Sequence, residues 1–101
     1  MEFSVPNEHR QDFEQAYGSD GAWAVLFKTA PGYLGTELLR DEQMIGRYLT
    51  IDRWRTPNDF AAFKSVSGDA DESLDRQFEG LTAHEVKVGT FRSVPSDADP
   101  A

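Results

Sequence analysis

The chain has 101 residues, enough for one domain and not two. Ten Lys and Arg face eighteen Asp and Glu, a formal charge of −8, which argues against a nucleic-acid binder and against docking on anionic lipid. No cysteine is present, which excludes disulfides, thiolate metal sites, iron–sulfur clusters and cysteine nucleophiles. No apolar run approaches the roughly 20 residues of a membrane span, and MEFSVPNEHR has no signal-peptide character, so the expectation is a soluble, cytoplasmic protein.

Residues 2–5 (EFSV) alternate polar and apolar, as a short strand does, and Pro6 ends it. Asn7 is suited to cap a helix on which Phe13 and Tyr17 share a face. Gly18 interrupts, and Ser19 or Asp20 is expected to cap a second stretch carrying Trp23 and Phe27 at i, i+4. Pro31-Gly32 signals a turn. Residues 33–40 (YLGTELLR) read as a strand with a bulge or close approach at Gly35. Residues 47–54 (RYLTIDRW), rich in β-branched and aromatic side chains, form the strongest strand signal, joined to the previous strand as a hairpin.

Thr56-Pro57 starts a helix, with Thr as cap and Pro at the first helical position. Phe60, Phe63 and Val66 are expected on one face. Ser67-Gly68 interrupts, and Leu74, Phe78 and Leu81 form a second apolar set. Residues 84–91 (HEVKVGTF) alternate as a last strand. The acidic tail 93–101 is expected to be disordered or draped over the domain.

The order is β-α-β-β-α-β, which predicts one α+β domain over residues 1–92. Its architecture is ferredoxin-like, an antiparallel sheet with helices on one face. In the strongest strand Tyr48, Thr50, Asp52 and Trp54 share one face, and Leu49 and Ile51 the other. Apolar groups on both faces predict a two-fold homodimer.

The chain has no phosphate-binding glycine loop, no GxSxG and no HExxH, and no cofactor signature. The acidic run Asp69 to Asp75 fails as a calcium loop, with Leu74 where Gly and Gly80 where Glu are required. His9 and His84 are the only imidazoles, too few for a zinc site without cysteine, so no metal is expected. His9 sits in a polar stretch, whereas His84 is a candidate general base. Trp23, Tyr33, Tyr48 and Trp54 either fill the core or line a slot for a planar ring. Asp52 lies between apolar neighbours. It is expected to pair with an arginine such as Arg53 or Arg92, or to be neutral with a raised pKa.

Residues 30–41 (APGYLGTELLRD), 47–54 (RYLTIDRW) and 56–63 (TPNDFAAF) resemble the antibiotic biosynthesis monooxygenase domain, and the likeness extends over about residues 2–92. The resemblance implies a dimeric α+β barrel. It also implies a cofactor-independent oxygenase that deprotonates a small aromatic phenol, hydroquinone or polyketide-like ring and lets the anion reduce O₂. Such domains open with a longer first strand than Glu2 to Val5. Haem-degrading relatives carry an Asn, Trp and His triad. Asn7 is a loose match for the Asn, but residues 60–73 hold neither Trp nor His, so haem degradation is not expected. No family triad carries over, so the candidates rest on residue chemistry: Asp52 and His84 as catalytic groups, and Trp54, Tyr48, Tyr33 and Trp23 as pocket lining. The alternative is a non-catalytic small-molecule-binding or dimerisation module of the same fold.

Overall fold

The computed structural model describes residues 1–95. Its elements follow the expected order: β1 (Glu2–Ser4), α1 (Arg10–Tyr17), α2 (Ala22–Phe27), β2 (Tyr33–Arg40), β3 (Arg47–Trp54), α3 (Pro57–Phe78) and β4 (His84–Val86). The sheet order is β2-β3-β1-β4, and every neighbouring pair is antiparallel. β1 therefore lies between β3 and β4, and both strand–helix–strand connections cross over. The helices cover one face, as the contacts of Phe13 with Phe3 and of Phe63 with Trp54 show. This is the ferredoxin-like α+β arrangement.

Local chemistry accounts for the junctions. The Thr56 hydroxyl oxygen accepts from the Asp59 backbone N–H at 3.1 Å, and Pro57 follows it into α3. In the β2–β3 connection, one Asp41 carboxylate oxygen accepts from the N–H groups of Gln43 (2.8 Å) and Met44 (3.1 Å). The other accepts from Arg47 Nη1 at 2.8 Å. Gly46 completes the turn at φ 90°, and a Cβ there would stand 2.6 Å from the Val5 carbonyl oxygen.

Several expectations are corrected. Asn7 does not cap α1: it begins a 3-10 turn, Asn7–His9, and its side-chain oxygen accepts from Arg10 Nη1 at 3.3 Å. Neither Ser19 nor Asp20 caps α2. Gly21 precedes it, and Asp20 pairs with Lys28 at 3.5 Å. The interruption expected at Ser67-Gly68 is present: Ser67 leaves helical geometry (φ −115°, ψ 19°), and α3 runs as two stretches joined at that kink. Val66 does not join Phe63 in the core but is 86% exposed. Val66 directly precedes Ser67, where the helix leaves regular geometry. The last strand stops at Val86 rather than continuing to Phe91. Val86 pairs with Glu2, where the β1 ladder ends, and among the described residues no strand pairs with residues 87–91. The expected tail falls partly on residues 96–101, outside the described residues.

Two aromatic groups fill the space between sheet and helices. Phe3, Phe13, Tyr17 and Tyr48 are all buried under α1. Phe27 and Phe63, also buried, gather Tyr33, Trp54 and Phe60 under α2 and the first half of α3.

Candidate functional site

Alternation along β3 aims Tyr48, Thr50, Asp52 and Trp54 at the helices. Their partners on β2 are Arg40, Leu38, Thr36 and Tyr33. Tyr48 and Asp52, four residues apart, are separated by about 13 Å along the strand.

At the Tyr48 end the polar groups are matched. The buried Tyr48 hydroxyl donates to Glu14 and accepts from Arg10 Nε at 3.3 Å. Arg40 Nη2 donates to both Glu14 oxygens at 3.1 Å. The Tyr48 hydroxyl first, and Arg40 after it, hold the Glu14 carboxyl below its ordinary value, against the cost of its desolvation. A cleft of about 590 Å³ opens here between α1 and β2, lined by Glu14, Ser19, Thr36, Leu38, Arg40 and Tyr48 among others.

Asp52 lies one strand in from that cleft. The Thr36 hydroxyl, itself part of the lining, donates to Asp52 Oδ1 at 2.7 Å. Tyr33 Oη is 2.5 Å from Thr36 Oγ1. The Thr36 proton is committed to the carboxylate, so the Tyr33 hydroxyl is the donor to Thr36. Among the described residues Oδ2 of Asp52 has no hydrogen-bond partner. Asp52 is exposed to water yet crowded by protein on its helix side. That crowding pushes its carboxyl above the ordinary value, the Thr36 hydrogen bond and the N-terminal ammonium pull it down, and Asp71 adds to the rise. Asp71 is the buried charge of α3, held by Lys64 Nζ at 2.6 Å across the Ser67 kink.

Asp75 follows Asp71 along α3, and Glu85 lies across β1 from Tyr48, at the other end of the sheet face from Asp52. Desolvation raises both carboxyls; Asp71 adds to the rise of Asp75, and Asp75 to that of Glu85. Burial pushes the Tyr17 phenol up to about 12, and Glu85 and Asp75 reinforce this. The Trp23 N–H lies close enough to the Tyr17 hydroxyl to ease its ionisation, but outside hydrogen-bond geometry.

Trp54 packs among Phe27, Tyr33, Phe60 and Phe63, with ring centroids 5.3 to 5.6 Å away. Its Nε1, like that of Trp23, is shut off from water and has no hydrogen-bond partner among the described residues. An unmatched buried donor costs about 1–3 kcal/mol. An acceptor atom on a bound molecule would remove that cost.

The structure thus places Tyr48, Asp52, Trp54 and Tyr33 on the helix-facing side of the sheet. Trp23 sits above them on α2, packed on Tyr17 and Phe27. It does not bring His84 to them. His84 pairs with Ser4 at the start of the exposed strand β4, on the opposite face of the sheet. Asp52 takes neither expected arginine: Arg53 points to that opposite face and pairs with Glu37 at 2.6 Å. Thr36, Glu14 and Arg40 were missed by residue chemistry alone. The hairpin held a signal for two of them, since counting outward from its connection pairs Arg40 with Tyr48 and Thr36 with Asp52.

Among the described residues, no group of three or more His, Asp or Glu is placed to hold a metal ion. No helix among them is long and apolar enough to cross a membrane. None of the curated proteins matches the chain. Residues 1–68 match the family model described as antibiotic biosynthesis monooxygenase, from β1 to the kink in α3. That match covers most of the chain and every strand of the sheet except β4, so this protein belongs to the antibiotic biosynthesis monooxygenase family.

Proposed function

We propose that the protein is a cofactor-independent monooxygenase acting on a small phenolic, hydroquinone or polyketide-like ring with O₂. The observation that carries this reading is Asp52. It is a carboxylate on the helix side of the sheet, with one oxygen anchored, the other free, and its proton affinity raised by its surroundings. A general base works best when its pKa approaches that of its task, and the rise moves Asp52 in that direction. Oδ2 takes the ring hydroxyl proton. The resulting anion gives electrons to O₂, a peroxide forms on the ring, and loss of water leaves a quinone. In this reading Trp54 and Tyr33 provide the flat wall for the ring. The Trp23 and Trp54 indole N–H groups supply donors for ring oxygens. Asp71, the carboxylate that acts on Asp52, favours an uncharged ring over a carboxylated one.

The same proposal makes the protein a homodimer. The sheet face away from the helices carries Leu39, Leu49, Ile51 and Val86, with Leu39 at 41% and Val86 at 57% exposure. A second copy would cover these side chains. A non-catalytic binding module is the second reading, and the exposure of Asp52 favours it, because oxygenation of a reactive anion requires that water be kept out.

Oxygen uptake against a panel of hydroquinones and polycyclic phenols, with protein-free and anaerobic controls, separates the two. Protein-dependent uptake with quinone formation is the expected result. Ligand binding in air with no change to the ligand overturns the oxygenase reading in favour of the module.

A further inference from the structure

We infer that Thr36 and Tyr33 are positioning residues that hold Asp52 with only Oδ2 available to a substrate, and that the β-bulge at Gly35 is what brings Tyr33 into that role. The inference rests on Asp52 being the base of the proposed reaction.

In a regular strand, residues 33 and 36 point to opposite faces, because their separation is odd. Here Tyr33 pairs with Trp54 and Thr36 with Asp52, and both partners face the helices. One extra residue makes this possible. The register shifts between Tyr33 and Gly35, Gly35 takes φ 147°, and Leu34 is left 65% exposed. Bulges re-aim side chains in this way. The re-aimed Tyr33 hydroxyl stands 2.5 Å from Thr36 Oγ1, which in turn stands 2.7 Å from Asp52 Oδ1.

The chain of donors has one direction. The Asp52 carboxylate only accepts, so Thr36 must donate to it, and Tyr33 must donate to Thr36. Oδ1 is thereby engaged before any substrate arrives. A proton taken from a ring hydroxyl goes to Oδ2 and stays there, since Thr36 keeps Oδ1 as an acceptor. The two hydroxyls are not needed to carry the proton to solvent, because Asp52 is itself exposed. Their work is orientation: each bond polarises the next and fixes the carboxylate plane.

The test compares wild type with Thr36→Val, Thr36→Ser and Tyr33→Phe. The Asp52 carboxyl is titrated by carbon NMR in the substrate-free protein, and kcat and KM are measured for whichever hydroquinone supports uptake. Thr36→Val is expected to titrate at higher pH than wild type, because it loses the hydrogen bond that stabilises the charged form. Thr36→Ser should restore the wild-type titration, and Tyr33→Phe should shift it in the same direction by less. Thr36→Val should lower kcat about tenfold while KM stays within about twofold, as misorientation of a base does. An Asp52 titration unchanged in Thr36→Val, or full kcat in both Thr36→Val and Tyr33→Phe, overturns the inference. Failure of the base reading looks different: Asp52→Asn would keep its oxygen uptake while the Thr36→Val titration still shifted.

Discussion

The two ends of the space between sheet and helices are built from similar residues and finished differently. Under α1, Phe3, Phe13, Tyr17 and Tyr48 are buried, with ring centroids between 4.3 and 5.1 Å apart. The Tyr48 hydroxyl there is fully engaged. Under α3, Phe60 is 38% exposed, and among the described residues Asp52 faces water with one oxygen free and Trp54 buries an N–H with no acceptor. Close aromatic packing and the engaged Tyr48 hydroxyl make the first end a source of stability, with the Trp23 N–H at its border the one buried donor there that has no acceptor among the described residues. At the second end the free Asp52 oxygen and the unmatched Trp54 N–H occur together, and there the fold gives up stability, as sites built for another molecule do.

Substitutions can break or sharpen this contrast. The largest expected effect is on activity. Asp52→Asn should reduce oxygen uptake by about 10²–10⁴-fold, the usual contribution of a general base. It should leave stability at neutral pH undiminished. The folded-state pKa of Asp52 is raised, so the stability it confers is present below the unfolded carboxylate value and lost as pH rises through the folded one. Urea denaturation at pH 7 checks this, and an unstable Asp52→Asn would contradict it.

Phe13→Ala acts at the other end. It should cost about 3–5 kcal/mol by emptying a fully buried site, read as a lower denaturation midpoint. Ile51→Lys touches neither end, since it lies on the outer face of the sheet, where a lone domain would tolerate it. If that face joins two copies, light scattering should show the mass fall to that of one chain, with no change in circular dichroism.

Tyr48→Phe is the smallest change. It removes one hydroxyl from the matched end and should cost about 1 kcal/mol at neutral pH. The penalty should shrink on acidification. Glu14 has a lowered folded-state pKa, so its contribution is present above the unfolded carboxylate value and lost as pH falls through the folded one. A penalty that stays constant from pH 7 to pH 3 would show that the Glu14 partnership does not matter.

Much of the fold was legible because its signals are short-range. Thr56-Pro57 announces α3, Gly35 announces the bulge, and alternation in residues 47–54 sorts Asp52 and Trp54 from Leu49 and Ile51. The length of β4 was not legible. Residues 84–91 alternate throughout, but a strand persists only while it has a neighbour, and β1 provides one only as far as Glu2. His84 shows the same limit at the site. Its residue type suits a base, yet register with Ser4 turns it to the face away from Asp52.

By itself the sequence determined what neighbours in the chain decide: periodicity, caps, turns and the order of elements. Those suffice for the ferredoxin-like arrangement and for the set of groups on each face of β3. Only the tertiary structure decided which distant groups meet. Glu14 reaches Tyr48 and Arg40 from α1, and Thr36 is held against Asp52 by hairpin register. The reason is physical: periodicity is set by backbone geometry within a few residues, whereas these contacts, and the acidity they impose on Asp52 and Glu14, depend on how separate segments pack.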